Sequence, residues 1–195
     1  MNFLAHLALS GEVPETLVGN LMGDFVKGRL EGRFPPGIRL GIELHRKIDS
    51  FAGQNELFIR SKQRIDARFG LYRGVLVDLY YDHFLALNWQ DYGRLPLQRF
   101  IDNASAILEE HREMLPERLQ LRLAELFSDW LPSYRELDGI DRVLKRMSAR
   151  LKRANPLGDG ASELKSHYGA LEEDFRRFFP QLRAYAADFR REKVC

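Results

Sequence analysis

Residues 71–90 constrain the fold of this chain more than any other part of its sequence. Hydrophobic side chains recur nearly all round a helical projection of this stretch, which is typical of a helix buried on every side. Such a helix must be covered by other helices, so the sequence predicts a bundle with this stretch at its centre. Asp78, Asp82 and His83 are the polar residues that such an apolar helix has to accommodate.

The composition favours helices over strands throughout the chain. Thirty Leu stand beside seven Val, eight Ile and one Thr, which is a poor supply of residues for a pleated sheet. A length of 195 residues favours one domain spanning 1–195. We therefore predict an all-α fold, a single-domain helical bundle. The 45% hydrophobic and 30% charged content excludes disordered, collagen-like and disulfide-rich secreted proteins.

Gly and Pro residues divide the chain into helical stretches with short connections. Asn55 is suited to cap the helix that follows it, and the ANPLGDG segment predicts a loop. The predicted helices span residues 2–10, 14–27, 36–52, 55–69, 71–90, 96–115, 116–131, 138–154, 162–179 and 181 onward.

Net charge, hydropathy and cysteine content indicate which partners and which cellular compartment suit this chain. A net charge of +2 is too small to indicate nucleic acid, although residues 142–153 hold six basic and no acidic side chains. No stretch is apolar for long enough to cross a membrane, and the opening residues lack the features of a signal peptide. The lone Cys195 is interpreted as an incidental thiol, and the chain is predicted to be cytoplasmic.

Two polar pairs lie at helical spacing in otherwise apolar stretches. His45 and Asp49 are four residues apart and share one helical face, and Asp78 and Asp82 repeat that spacing on the central helix. Ionisable side chains on buried faces are costly unless they are paired or bound to a cation. The two helices could therefore form walls of a metal pocket, or their polar residues could make ordinary contacts with each other and with arginines.

His6 and Asp24 could complete such a pocket from the first two helices. A mixed nitrogen and oxygen ligand set suits Mn²⁺, Fe²⁺ or Mg²⁺ better than a thiolate zinc site. A lone buried histidine is more often structural, and Asp24 could simply bind backbone or Lys27. His111 and His167 lie in charged surroundings and are left outside the predicted site.

Four ordered motifs carry a resemblance to a known family: MNFLAHL, GNLMGDFVKG, GIELHRKID and VDLYYDHFLALNW. They resemble the motifs of the acyl carrier protein phosphodiesterase family, also called acyl carrier protein hydrolase, a divergent branch of the HD phosphohydrolases. The resemblance is close over residues 2–89 and looser over the whole chain, and the late HYGALEEDFRRFFP also resembles the family.

The resemblance implies a helical fold of divergent HD type, a divalent ion and hydrolysis of 4′-phosphopantetheine from the serine of holo acyl carrier protein. Mn²⁺ is the ion we expect first, with Mg²⁺ or Fe²⁺ as alternatives. Ordinary HD enzymes have a contiguous His-Asp pair, whereas this chain has Asp82-His83 in reverse order and His45 apart from Asp49. The matching positions are His6, Asp24, His45, Asp49, Asp78, Asp82 and His83.

Roles follow from the resemblance and from phosphodiester chemistry. Asp24 is predicted to bind the metal and orient the attacking water, and His6 or His83 is predicted to protonate the departing serine oxygen. Lys27 and Arg46 are predicted to contact the phosphate. The role of Asp78 is left open. The predicted metal ligands are His6, Asp24, His45, Asp49, Asp82 and His83.

An acidic carrier protein needs a basic docking surface on its enzyme. The two candidates are residues 142–153 and the loop and helix around Lys27, Arg29, Arg33, Arg39 and Arg46, of which we prefer the second because it adjoins the predicted site. Two other functions are compatible with the residues. One is an HD-type nucleotide phosphohydrolase, and the other is a non-catalytic helical module that binds an acidic partner.

Overall fold

The computed structural model describes residues 1–194, with the backbone alone at Val194, so the interpretation of Cys195 lies outside the described residues. These residues form helices and no strand, which confirms the predicted all-α fold. Short 3-10 turns lie at Gly23–Phe25, Ala67–Phe69, Arg112–Met114 and Leu157–Asp159, and a π-helical turn at Leu126–Trp130. The α-helices are α1 Phe3–Leu9, α2 Pro14–Met22, α3 Pro36–Gln54, α4 Glu56–Arg64, α5 Tyr72–Leu87, α6 Trp89–Tyr92, α7 Leu97–Glu110, α8 Glu117–Gln120, α9 Leu123–Glu125, α10 Leu131–Ser133, α11 Leu137–Ala149, α12 Gly160–Ser166 and α13 Tyr168–Val194.

Helix α5 lies at the centre, as its hydrophobic pattern predicts. Residues 79–86 are buried in an unbroken run, which no surface helix would show. Helices α1, α4, α11 and α13 pack around it. The buried apolar side chains of the described residues form one contiguous cluster around this helix. Within residues 1–194, no helix combines the length and apolar character needed to cross a membrane.

Helices α2 and α3 pack so closely that their backbones touch. A Cβ atom at Gly19 would lie 2.0 Å from the carbonyl oxygen of Ile38, and one at Gly41 would lie 2.3 Å from the carbonyl oxygen of Thr16. Only glycine leaves room for this crossing. The crossing fixes α2 and α3 in one rigid pair. Helix α3 carries His45 and Asp49 of the predicted site, and Asp24 lies in the 3-10 turn that follows α2.

Several predicted boundaries are confirmed, and three predictions about helix continuity are wrong. The predicted helix over 162–179 is divided at His167 into α12 and α13. Asn55 caps α4 by accepting a hydrogen bond from the Leu57 N–H at 3.0 Å, as predicted. The predicted helix over 116–131 is instead a series of short helices ending in a π-helical turn. The predicted break before residue 181 does not occur, since α13 continues through Pro180. Phe178, Phe179 and Leu182 are buried on both sides of this proline, and their packing outweighs the lost backbone hydrogen bond.

Candidate active site

His6 lies on α1 with its ring orientation fixed by Asn20. The Asn20 amide nitrogen donates to the backbone oxygen of His6 at 2.7 Å and to Ser10 Oγ at 3.0 Å. The Asn20 Oδ1 atom is therefore the group that faces His6 Nδ1, at 2.9 Å. An amide oxygen only accepts, so His6 carries its proton on Nδ1 and presents the lone pair of Nε2.

His45 lies on α3 and is oriented by the same asparagine. Its Nδ1 donates to the backbone carbonyl of Asn20 at 2.8 Å, which leaves Nε2 facing the cluster. The two imidazole rings stack with centroids 3.9 Å apart and planes 13° apart. Gly23 makes this position possible, because a Cβ there would lie 2.0 Å from His45 Cγ. A backbone or side-chain oxygen on one ring nitrogen is the usual way in which a metal-binding histidine is oriented.

Both Nε2 atoms converge on Asp49. The carboxylate lies 3.3 Å from His6 Nε2 and 3.1 Å from His45 Nε2, through different oxygens. Asp24, from the 3-10 turn after α2, approaches His45 Nε2 at 3.4 Å. The Asp49 side chain is 40% exposed and that of Asp24 is 60% exposed, so the cluster opens to solvent on its carboxylate side.

The pKa shifts follow from burial and from these contacts. Burial, with His45 beside it, lowers the pKa of His6 to about 4, so this ring is neutral near pH 7. Burial alone would also lower the pKa of His45, but Asp24 and Asp49 outweigh it and raise that pKa to about 9. Burial opposes ionisation of Asp49 too, yet contacts with both histidines hold its pKa well below its usual range. The group thus contains a neutral imidazole, an imidazolium and ionised carboxylates.

This arrangement fits a cation. The neutral His6 presents a lone pair at Nε2, and that atom faces Asp49 Oδ1 at 3.3 Å and the backbone oxygen of Met1 at 3.1 Å. Acceptors that face each other in this way repel unless a positive charge lies between them. Ligand atoms of His6, His45 and Asp49 all lie within 4.8 Å of one another and form a possible metal-binding group. Imidazole and carboxylate donors suit first-row divalent ions.

Asp78 lies beside this group on α5. The Met1 ammonium lies between two carboxylates, 2.9 Å from Asp49 Oδ1 and 3.1 Å from Asp78 Oδ1. Burial raises the pKa of Asp78 despite this neighbouring positive charge. Asp49 and Asp78 thus share the Met1 ammonium, which compensates part of the negative charge at this point.

Asp82 and His83, the next polar residues of α5, point to other partners. Asp82 accepts hydrogen bonds from the Leu4 and Ala5 N–H groups at 2.7 and 3.0 Å, at the first turn of α1. Burial, opposed by these bonds, raises the pKa of Asp82 to about 7. His83 contacts the backbone oxygen of Tyr134 at 2.7 Å through Nδ1 and Tyr168 Oη at 2.9 Å through Nε2.

The predicted phosphate-binding residues lie in and beside the loop after Asp24. Arg46 donates to the backbone oxygens of Val26 and Gly28 at 3.2 and 2.9 Å, and so ties this loop to α3. Lys27 is exposed in the same loop. The structure therefore brings His6, Asp24, His45 and Asp49 together with Asp78 nearby, and gives Asp82, His83 and Arg46 partners of their own.

A cleft of about 630 Å³ opens in front of the carboxylates. We call the side formed by Asp24, Asp49 and Asp78 the acidic wall. We call a second part of its lining, formed by Arg122, Trp130, Met147, Arg150 and Leu151, the arginine–tryptophan end. The acidic wall thus suits a cation, through which a phosphate could bind, and the arginine–tryptophan end suits a partly apolar organic group.

Sequence reasoning missed Asn20 and the arginine–tryptophan end. Asn20 is fully buried and lies four residues before Asp24, on an otherwise apolar helix, so its burial was open to prediction. Its contact with both histidines was not, because His45 is 25 residues away along the chain. Arg122 and Trp130 lie in the segment whose helical break the sequence did not reveal.

Comparison with known proteins gives one consistent result. Residues 1–182 match the family described as acyl carrier protein phosphodiesterase. The protein of that name from Pectobacterium atrosepticum is 36% identical over 184 residues, covering 93% of this chain and 95% of the relative. The Shigella boydii protein of the same name is 35% identical over 196 residues, covering 96% and 98%. No solved structure is significantly similar to this chain.

Proposed function

The chain belongs to the acyl carrier protein phosphodiesterase family, and from this premise we propose that it hydrolyses the phosphodiester of holo acyl carrier protein. Water would replace the serine oxygen on phosphorus, giving apo carrier protein and free 4′-phosphopantetheine. The observation that carries the proposal is the convergence of His6 Nε2 and His45 Nε2 on Asp49, at 3.3 and 3.1 Å, at the wall of an open cleft.

His6, His45 and Asp49 are the ligands that we propose for a divalent ion. Two imidazole donors favour Mn²⁺ or Fe²⁺ over Mg²⁺, and Mn²⁺ is our first choice of the two because the family resemblance implies it. When bound, such an ion supplies charge neutralisation for the phosphoryl oxygens and lowers the pKa of the attacking water. Asn20 holds both imidazoles in the tautomer that this binding requires, since each Nδ1–H donates to one of its oxygens.

Asp24 is the residue that we propose to orient the water. Its side chain is 60% exposed on the acidic wall and contacts His45, so it reaches both the cluster and the open cleft. Burial opposes its ionisation, but the contact with His45 lowers its pKa, and the carboxylate is available as an acceptor for a water proton.

The two histidines predicted to protonate the serine oxygen differ in their surroundings. A histidine that binds metal through Nε2 has no proton to give from that atom, so His6 cannot fill both roles. His83 has both ring nitrogens in contact with Tyr134 and Tyr168, and it does not line the cleft. Our proposal therefore assigns His6 to the ligands, leaves His83 outside the catalytic set, and lets solvent in the open cleft protonate the serine oxygen.

The loop around Lys27 is the docking surface that we propose for the acidic carrier. Among the basic residues of 142–153, Lys145 pairs with Asp141, and Arg146 and Arg150 pair with acidic residues of the preceding segment, which weakens the positive potential there. Lys27 and Arg29 are exposed and have no ion pair within the described residues, and the loop begins beside Asp24 at the cleft. We place the reaction in the cytoplasm, as the single cysteine suggests.

The test is incubation of the purified protein with holo acyl carrier protein and Mn²⁺, with and without chelator, followed by the intact mass of the carrier. We expect the phosphopantetheine mass to be lost only with metal. In Asp24→Ala, the carrier should keep its phosphopantetheine mass, and the helical circular dichroism should be unchanged. His111→Ala, which lies outside the cleft, is the control and should retain full activity. An unchanged carrier mass with both Mn²⁺ and Mg²⁺ would contradict the proposal. Nucleotide hydrolysis under the same conditions would then favour a nucleotide phosphohydrolase.

A further inference from the structure

We propose that the arginine–tryptophan end of the cleft binds the pantetheine arm of the substrate while the phosphate lies at the acidic wall. This inference rests on the proposed function and deepens it, since it names the residues that recognise the organic half of the substrate. The cleft volume of about 630 Å³ lies within the range of small-molecule sites, roughly 300–1,000 Å³. It can hold one flexible arm and excludes a folded carrier protein.

The two arginines of this end have different surroundings. The Arg150 guanidinium lies 4.9 Å from the centroid of the Trp130 ring and is paired with Glu125. Its charge is therefore largely compensated, and it holds the indole in place. Arg122 is exposed, lines the cleft and forms no ion pair within the described residues. It is the guanidinium that is left to donate hydrogen bonds to a ligand.

Trp130 provides a second, independent observation. Its side chain is 4% exposed, its ring lines the cleft, and its Nε1 has no acceptor at good hydrogen-bond geometry within residues 1–194, although the Glu125 carboxylate lies close by. Buried indole N–H groups usually have a well-formed partner. Here the indole is held by the Arg150 guanidinium and a weak contact with Glu125, and it still offers its ring to a ligand. Trp130 also ends the π-helical turn Leu126–Trp130, a distortion that occurs frequently at functional sites.

The chemistry of the arm matches this end of the cleft. A pantetheine arm is uncharged, with two amides, a gem-dimethyl group and a terminal thiol. Its amide carbonyls can accept from Arg122, and its methyl and methylene groups can pack on Trp130, Met147 and Leu151. Because Glu125 compensates Arg150, Arg122 is the one uncompensated guanidinium at this end among the described residues, and the apolar side chains beside it suit the uncharged arm.

Kinetics with holo carrier protein separate recognition of the arm from recognition of the carrier. Arg122→Ala should raise KM and lower kcat/KM by about tenfold, the usual size for a hydrogen bond to a charged group, and leave kcat nearly unchanged. Arg118→Ala is the matched control, because Arg118 is also exposed, lies four residues earlier and does not line the cleft. It should change kcat/KM by less than twofold. Equal losses in both variants would overturn the inference, since they would show a general effect of charge on carrier docking.

Binding of the arm alone can be measured without metal or turnover. The chain has two tryptophans, Trp89 and Trp130, and pantetheine titrated into the full chain should change the emission of Trp130. Trp130→Phe should remove this response although Trp89 remains, and Arg122→Ala should weaken the apparent affinity by about tenfold. Absence of any pantetheine-dependent change in the wild type, or its persistence in Trp130→Phe, would overturn the inference.

The two experiments distinguish failure of the inference from failure of the proposed function. If the wild type leaves holo carrier intact with Mn²⁺ and Mg²⁺, the proposed function fails, and the pantetheine titration alone then decides whether this end binds the arm. If the wild type hydrolyses holo carrier while Arg122→Ala matches it in kcat/KM, the function holds and the inference about the arm is wrong.

Discussion

Two groups of histidine and aspartate lie on apolar helices of this protein, and they differ in what their polar atoms contact. In the first group, each of His6, His45 and Asp49 has one atom that could bind a metal ion, and these three atoms lie within 4.8 Å of one another. In the second, both oxygens of Asp82 and both ring nitrogens of His83 already have protein partners. Residue type alone therefore does not mark a metal site. What distinguishes the two groups is whether their potential metal-ligating atoms face one another or face separate hydrogen-bond partners.

The physical reason is the cost of burying polar groups. Almost every buried polar atom in a folded protein has a hydrogen-bond partner, and Asp82 and His83 follow this rule. His6 differs in what its Nε2 faces, which is a pair of acceptors: Asp49 Oδ1 at 3.3 Å and the Met1 backbone oxygen at 3.1 Å. Our proposal places a cation at this atom, where it would relieve the repulsion between a neutral ring and these acceptors. Substitutions in the two groups should therefore differ in their effect on metal binding.

His45→Gln should have the largest effect. Loss of an imidazole ligand should weaken Mn²⁺ binding by more than about a hundredfold, beyond the range for a residue that only orients a ligand, and should abolish hydrolysis. Titration calorimetry and the intact-mass assay measure the two losses. His83→Gln is the matched control in the second group, with the same substitution. Comparable losses of metal affinity in both variants would show that the two groups do not differ as we describe.

Asn20→Ala should have the next largest effect. It removes both oriented contacts to His6 and the bond to Ser10 Oγ, but keeps the backbone carbonyl that accepts from His45. We expect Mn²⁺ affinity to fall by about 10- to 100-fold, with the ligands themselves intact. Ser10→Ala, which removes only one partner of the Asn20 amide, should cost less than about threefold. An unchanged affinity in Asn20→Ala would contradict the assigned histidine tautomers.

The pH dependence of metal binding reports on His45. In the metal-free protein its pKa is raised from 6.5 to about 9, so the stability gained from its charged form is complete below about pH 6.5 and is lost as pH rises to about 9. Metal must displace this proton, so Mn²⁺ affinity should rise by about tenfold per pH unit between roughly pH 7 and 9. Melting temperatures with chelator and calorimetry with Mn²⁺ measure the two trends. An affinity that is flat over this range would show that His45 is not a ligand.

His83→Gln should leave metal binding unchanged and reduce stability. Loss of well-formed buried hydrogen bonds to Tyr134 and Tyr168 should lower the free energy of unfolding by about 1–3 kcal/mol. Urea unfolding measures this change, and Mn²⁺ titration of the same sample measures binding. A folded variant with normal stability and no metal affinity would instead place His83 among the ligands, as the sequence suggested.

Much of the fold was predictable from local pattern. The hydrophobic surface of residues 71–90 predicts a central buried helix, and Asn55 predicts the start of α4, because both depend on residues within a few turns of each other. The path through Pro180 was not predictable in this way. It depends on burial of Phe178, Phe179 and Leu182 against other helices, which outweighs the local preference of proline.

The candidate site, like the fold, was predictable from the sequence only where local spacing decides. Four residues make about one helical turn, so their spacing alone places His45 and Asp49 on one helical face, and the sequence also shows polar residues on the central helix. Which of these residues meet depends on how the helices pack. His6, Asn20 and His45 come from three helices, and their contacts depend on the close glycine crossing of α2 and α3. Contacts between distant segments then brought the ligand atoms of His6, His45 and Asp49 within 4.8 Å of one another and turned those of Asp82 and His83 toward separate partners.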